Sequence, residues 1–288
     1  MTLSRTDLTV ETAEELSAAG DIFAPDSGIT RTESFHCGCS VTRITVRTPA
    51  GARTIGKPAG QYVTIDLRPC LARQESLTHR AARCLARELS SLLTPLAPED
   101  TVLVVGLGND AMTPDAVGAA ALEHLLVTRH IVRAMPRQFG QLRPVAALQT
   151  GVLAQTGMET LELIRGTASR LHPAAVVVID ALAARSRHRL CATVQLSDTG
   201  LTPGSGVGNH RRAVDREALG VPVIAVGVPT VIDGAALCGG EDAAPGGLFV
   251  TPQDIDLRVR ELGRLVGYGV TLALQPRLSP EDVDALLT

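Results

Sequence analysis

Three stretches of this chain are apolar on almost every residue: VLVVGL at 102–107, AAVVVI at 174–179 and VPVIAVGV at 221–228. A strand with one wet face alternates apolar and polar residues, whereas a strand covered on both faces reads as a continuous apolar run. These runs are rich in Val and are separated by segments of helical periodicity, which predicts a sheet with helix layers on both sides. The remaining pattern fits that frame. SVTRITVR (40–47) and QYVTIDL (61–67) alternate as half-buried strands, and RPVAAL (143–148) and CATVQLSD (191–198) add two more. Helices are expected over 72–93, 114–133, 158–170, 252–274 and 279–287. Residues 1–20 read as an exposed acidic lead-in, and TPAGAR after residue 47 as a turn. The fold class expected is α/β, with a mostly parallel or mixed sheet. No internal repeat or low-complexity linker divides the chain.

Composition narrows the function. Hydrophobic residues make up 45% of the 288, but aromatic ones only 2%, so base or sugar stacking is a poor recognition mode here. A formal net charge of −3 leaves no basic footprint for nucleic acid. No run of about eighteen apolar residues predicts a membrane span, and the polar start MTLSRTDLTVETAEEL lacks a signal-peptide core, so a cytoplasmic protein is expected. The six cysteines are then expected to be reduced. Cys37-Gly38-Cys39, next to His36, has no second pair at zinc spacing, and a loop or strand end is expected there. Lys57 is the sole lysine.

The chemistry-bearing residues gather where apolar strands end. Asp180 closes AAVVVID, at the rim where open α/β sheets bind ligands. The competing reading is a cap on a following helix, since ALAAR is helix-forming. Asp115 follows the glycine turn after VLVVGL, and Pro114 beside it marks a helix start, where a carboxylate is favoured by the positive helix end in any case. If the two strands are neighbours, the two acids share a rim. Two close carboxylates do not ionise together, so one keeps a proton, and such a pair can serve as general base and general acid on a water attacking an amide.

Other motifs are weaker. Gly106, Gly108 and Ala111 match G-x-G-x-x-A, but no acid ends a strand about twenty residues on, as a dinucleotide site requires. Asp198-Thr199-Gly200 copies the triplet of β-rich aspartic proteases, which does not suit an α/β chain. Ser197, Ser205 and His210 could be read as nucleophiles and base, yet no G-x-S-x-G elbow frames either serine. The glycine-rich loop 204–209 can bring backbone close to a ligand.

The ordered string VVGLGNDAMTPDAVG, LLVTRH, RPVAAL, IDALAARS, QLSDTGLTPGSGVGN and VPVIAVGVPTVID resembles the germination proteases of spore-forming bacteria, and the likeness runs from RTDLTVE at residue 5 to the C-terminal helix. The resemblance implies an atypical aspartic endopeptidase with an α/β fold similar to hydrogenase-maturation peptidases. Asp115 and Asp180 match its catalytic aspartates. It also implies a spore-core enzyme acting on small acid-soluble spore proteins, assembled as a homotetramer and made as a zymogen. By the same resemblance, residues 1–7 would be a propeptide, 8–288 a single peptidase domain, and self-cleavage would fall between Asp7 and Leu8. Gly106, Gly108 and Asn109, with Ser205, Gly206, Gly208 and Asn209, would shape the cleft. Asp233 would be a supporting acid or a helix cap.

Two features depart from the family: the short bridge at 234–247, where the family carries an insertion of several tens of residues, and RTESFHCGCS at 31–40. No cofactor, metal, nucleic acid or membrane partner is expected. A divalent ion held by the two acids and a histidine is the alternative chemistry, with His188 and His210 nearest in sequence to Asp180. The remaining alternative is a non-catalytic spore binding protein.

Overall fold

The structure is a computed structural model that describes residues 6–71, 77–93, 95–207, 211–234 and 248–287. Nine strands form one sheet: β1 (Ile29–His36), β2 (Cys39–Val46), β3 (Gly60–Asp66), β4 (Val102–Leu107), β5 (Val145–Gly151), β6 (Ala175–Ala184), β7 (Thr193–Ser197), β8 (Val223–Asp233) and β9 (Phe249–Val250). The main helices are α1 (Thr9–Ala19), α2 (Leu77–Leu92), α3 (Val117–Glu123), α4 (Thr160–Leu171), α5 (Ile255–Leu274) and α6 (Pro280–Leu287). The strand order is β1-β2-β3-β7-β8-β6-β4-β5, with the two-residue β9 also paired to β8. The half formed by β8, β6, β4 and β5 is parallel, and the half from β7 to β1 is antiparallel. The α/β class with a mixed sheet is therefore as expected.

The three apolar runs form β4, β6 and β8, side by side at the centre. Alternate side chains enter different layers. Val102, Val104, Val177, Ile179, Ile224 and Val226 pack under α2, α3 and α5. Leu103, Val105, Val176 and Val178 pack under α4 on the other face. Each fully buried aliphatic side chain of this size contributes about 1.5–3 kcal/mol of transfer free energy. A second group on that other face, led by Leu8, Val10 and Ala13, seats α1 against Ile29, Ile44 and Tyr62 of the antiparallel half. The cavity described below lies over β6 and β8, where Asp180, Leu182, Thr230 and Val231 line it.

Several local expectations fail for identifiable reasons. ALAAR does not begin a helix. β6 continues through Ala184, because Ala181–Ala184 pair with β8 from Val228 to Ile232, and tertiary pairing overrides helix propensity. Asp180 is thus a mid-strand residue and caps nothing.

The helix expected over 114–133 breaks into the turn Thr113–Asp115, α3 and a short helix at Arg129–Ala134. Between the last two, Leu126 N–H donates to the Thr271 hydroxyl, while Thr128 Oγ1 donates to the Arg143 carbonyl and accepts from Val145 N–H. These tertiary partners replace the helical bonds.

The N-terminal segment is docked rather than an exposed lead-in. Leu8, Thr9, Val10, Glu11 and Ala13 are all buried. TPAGAR belongs to a short helix, Pro49–Ile55, rather than a turn.

RTESFHCGCS is the β1–β2 hairpin. Cys37 and Gly38 occupy its turn at φ 53° and 80°, the positive pair that a two-residue hairpin of matching twist requires. Cys39 turns inward, with its sulfur 3.1 Å from that of Cys70. The expected helix over 72–93 is seen as α2, and residues 72–76 lie outside the described set. Among the described residues no helix is long and apolar enough to cross a membrane.

Candidate active site

Asp180 sits at the middle of β6, facing the same side as Val176 and Val178, and is 6% exposed. Its Oδ1 accepts the N–H of Ala181 at 3.0 Å. Burial holds its carboxyl well above the ordinary range, and the nearby carboxylates of Asp115 and Asp7 push the same way. Charge there is doubly disfavoured: little water reaches it, and two like charges face it.

Asp115 arrives from the neighbouring strand. β4 pairs with β6 in parallel, Gly106 opposite Ile179, so the β4 exit lies beside Asp180. The turn that follows is set by two glycines. A Cβ on Gly106 would meet the Gly118 carbonyl oxygen at 2.5 Å, so glycine allows α3 to lie against the strand. Gly108, at φ 92°, passes so close to Asp115 that a Cβ would lie 2.0 Å from its carbonyl oxygen. Backbone approach thus accounts for the G-x-G pair without a nucleotide. Asn109 gives its backbone N–H to Asp115 Oδ2 at 2.7 Å. Asp115 is half-buried, and burial raises its carboxyl, opposed by that hydrogen bond.

Asp7, Asp115 and Asp180 line a cavity of about 360 Å³ with Leu107, Leu182 and Gly206. The presence of Asp7 was not legible from spacing. Its N–H donates to the Ala183 carbonyl at 2.9 Å, and its Oδ2 accepts the Ala183 N–H at 2.9 Å. Ser205 donates its hydroxyl to Oδ1 at 2.8 Å. Gly206 leaves the room: a Cβ there would lie 2.0 Å from Asp7 Oδ2. The Asp7 carbonyl oxygen accepts from Lys57 Nζ at 3.3 Å and from Gln195 Nε2 at 3.1 Å. Lys57, Gln195, Asp7 and Asp180 line a second, adjoining cavity of about 290 Å³. Sequence reasoning passed over both donors, although the sole lysine of the chain was a signal available to it.

Gly208, Asn209 and His210 lie outside the described residues. Asp233 ends β8 opposite Phe249 and lines neither of the two cavities; Gly234, which follows it, is helical, and residues 235–247 lie outside the described set. Asp198 accepts the N–H of Gln61 at 2.7 Å, a structural role that locks the β3–β7 edge. Ser197 lines the second cavity and shares its hydroxyl with Thr199 at 2.6 Å. His188 is exposed and lines neither cavity.

A family model described as germination protease matches residues 7–245. The chain belongs to the germination protease family. Members of that family from Caldanaerobacter subterraneus subsp. tengcongensis and Clostridium perfringens are each 37% identical to it, with alignments covering 98% and 86% of this chain and 98% and 88% of theirs. A Geobacillus germination protease is 37% identical over 97% of this chain and 76% of its own length. The first alignment spans 322 positions, more than the 288 residues here, so this chain lacks residues which that relative has. Among solved structures, the [NiFe] hydrogenase maturation protease HycI from Thermococcus kodakarensis KOD1 is 19% identical, covering 64% of this chain and 98% of that one at a TM-score of 0.38. As a germination protease family member the chain is a peptidase, a hydrolase of peptide bonds.

Proposed function

We propose that this family member is an aspartic endopeptidase in which Asp115 and Asp180 share one proton and activate water. The observation carrying the proposal is Asp180 itself: a buried carboxyl in the middle of a central strand, beside a second acid in one cavity, with no capping role to explain it. Asp180 is the more deeply buried and holds the proton. Asp115 is half-buried, accepts an N–H from Asn109 and carries the charge. Asp115 then takes a proton from water as its oxygen adds to the scissile carbonyl carbon, and Asp180 gives its proton to the departing nitrogen. The two titrate as a pair.

The chain is a zymogen that removes residues 1–7 by cutting between Asp7 and Leu8. Supporting this is the seat of Asp7 in the acid-lined cavity, fixed through its backbone and its carboxylate. Its substrates are small acid-soluble spore proteins, degraded on germination in the spore core, and it works as a homotetramer; the name shared by its relatives supports the setting in germination. Incubating purified small acid-soluble spore protein with the processed enzyme, and with Asp115→Asn and Asp180→Asn, tests the assignment. Cleavage by the parent and loss in both variants are expected, while full activity in either variant would refute the pair.

A further inference from the structure

The carbonyl of Asp7 has two side-chain donors, and neither has a part in the two-acid chemistry above. Lys57 follows the short helix Pro49–Ile55, and Gln195 stands on β7. Their nitrogens converge on one oxygen, at 3.3 and 3.1 Å. The sheet sets where this happens. Asp180 on β6 and Gln195 on β7 are both in register with Gly227 of β8, which lies between them. Residues in register point to the same face, so the acid and the amide look into one space from positions two strands apart, roughly 10 Å between backbones. A peptide crossing that gap meets both.

Gln195 is fixed in orientation. Its Oε1 accepts the Thr9 N–H at 2.7 Å, which turns Nε2 toward Asp7. On the other side of the scissile bond, Leu8 N–H donates to Thr6 Oγ1 at 3.1 Å. The amide plane is thereby held at the carbonyl end, at the nitrogen end and by the residue beyond. Lys57 is drawn into the cavity although burial lowers its ammonium's tendency to hold a proton, which the Asp7 carboxylate partly offsets. A lone lysine in so costly a position calls for a role.

We infer that Lys57 and Gln195 are catalytic residues of the self-cleavage: they hold the carbonyl oxygen of the bond to be cut and stabilise the negative charge that forms on it. When water adds to the Asp7 carbonyl carbon, the C=O electron pair moves onto an oxygen already facing two N–H donors. The tetrahedral intermediate collapses as the pair returns, the C–N bond breaks and the Leu8 nitrogen takes a proton. Asp180 is then free to protonate nitrogen rather than oxygen. This rests on the reading that the Asp7–Leu8 bond is the processing site.

The test uses the full-length chain, following intact mass over time. Lys57→Met and Gln195→Met each remove one donor at similar volume, and the two lie on separate elements, so at least one is expected to melt like the parent. Loss of one such donor in other hydrolases lowers the rate by about 10²–10³-fold, and a first-order processing rate reduced by about that factor is the expected result for any variant that melts normally. Lys57→Arg, which keeps a donor, recovers part of it. A parent that trims residues 1–7 while a normally melting Lys57→Met or Gln195→Met trims at the same rate overturns the inference and leaves the aspartic reading standing. A parent that never trims refutes the processing reading itself, and the clamp with it. If both methionine variants fail to melt cooperatively, Lys57→Ala, which also removes the donor, decides by the same criterion: slowed processing supports the clamp and parental processing overturns it.

Discussion

The Ser205 hydroxyl donates to Oδ1 of Asp7 across 2.8 Å, joining two residues 198 positions apart in the chain. It places the glycine-rich loop directly on the residue that precedes the proposed cut. The loop therefore reaches the proposed cleavage site through Ser205 and through the space above Gly206.

Gly206→Ala tests that seat. Its Cβ would meet Asp7 Oδ2 at 2.0 Å and the Ala183 side chain at 2.8 Å, so Asp7 must move. Misplacing a reacting bond by about 1 Å costs on the order of 10²-fold in rate, and trimming of residues 1–7 should slow by about that much. An unchanged rate by intact mass would show that Asp7 is not held for cleavage.

Glu11 is fully buried in α1 and accepts the N–H groups of Arg185 and Ser186, at 2.7 and 2.8 Å, and the Thr6 hydroxyl at 2.5 Å. Glu11→Ala leaves those buried donors without a partner, at about 1–3 kcal/mol. For a chain of this size that lowers the melting temperature by about 2–4 °C per kcal/mol. An unshifted melting curve would mean that α1 is not docked on the end of β6.

Asp180 also makes stability depend on pH with a definite sign. Its folded carboxyl is held above its unfolded value, so the folded chain keeps a proton that the unfolded chain has released. The stability due to that proton is complete below the unfolded value, about 3.9, and drains away as pH rises through the folded one. Asp180→Asn carries no titrating proton. Thermal melts should find the variant more stable than the parent at pH 7, with the gap closing toward about pH 4. A variant less stable than the parent at pH 7 would contradict the burial argument.

Chelation separates the two-acid chemistry from its metal-dependent rival. Peptide cleavage by processed enzyme is expected to be unaffected by prolonged dialysis against a chelator. Activity that is lost and then restored by one divalent ion would move Asp115 and Asp180 from proton sharing to ion binding.

Much of this arrangement could be read from the residues. The unbroken apolar runs give β4, β6 and β8 because only a strand covered on both faces needs them, and the Ser279–Asp282 pair caps α6 as its spacing predicts, each side chain accepting the other's N–H. The path of β6 past Asp180 could not be read in this way: ALAAR is a helix former in isolation, and only pairing with β8 makes it a strand. The N-terminus was hidden for a similar reason. Its acids suggest solvent, yet Glu11 is buried because the turn at Arg185 and Ser186 supplies its donors from far along the chain. Lys57 and Gln195 meet at Asp7 only through the fold, since no spacing rule links residues 57, 195 and 7.

The most direct test of the central claim is the intact mass of the purified full-length protein over time at mildly acidic pH, beside Asp180→Asn. The parent should lose residues 1–7, and Asp180→Asn should keep them, or trim about 10²–10⁴-fold more slowly. Trimming at the same rate in both would show that Asp180 does not carry the chemistry.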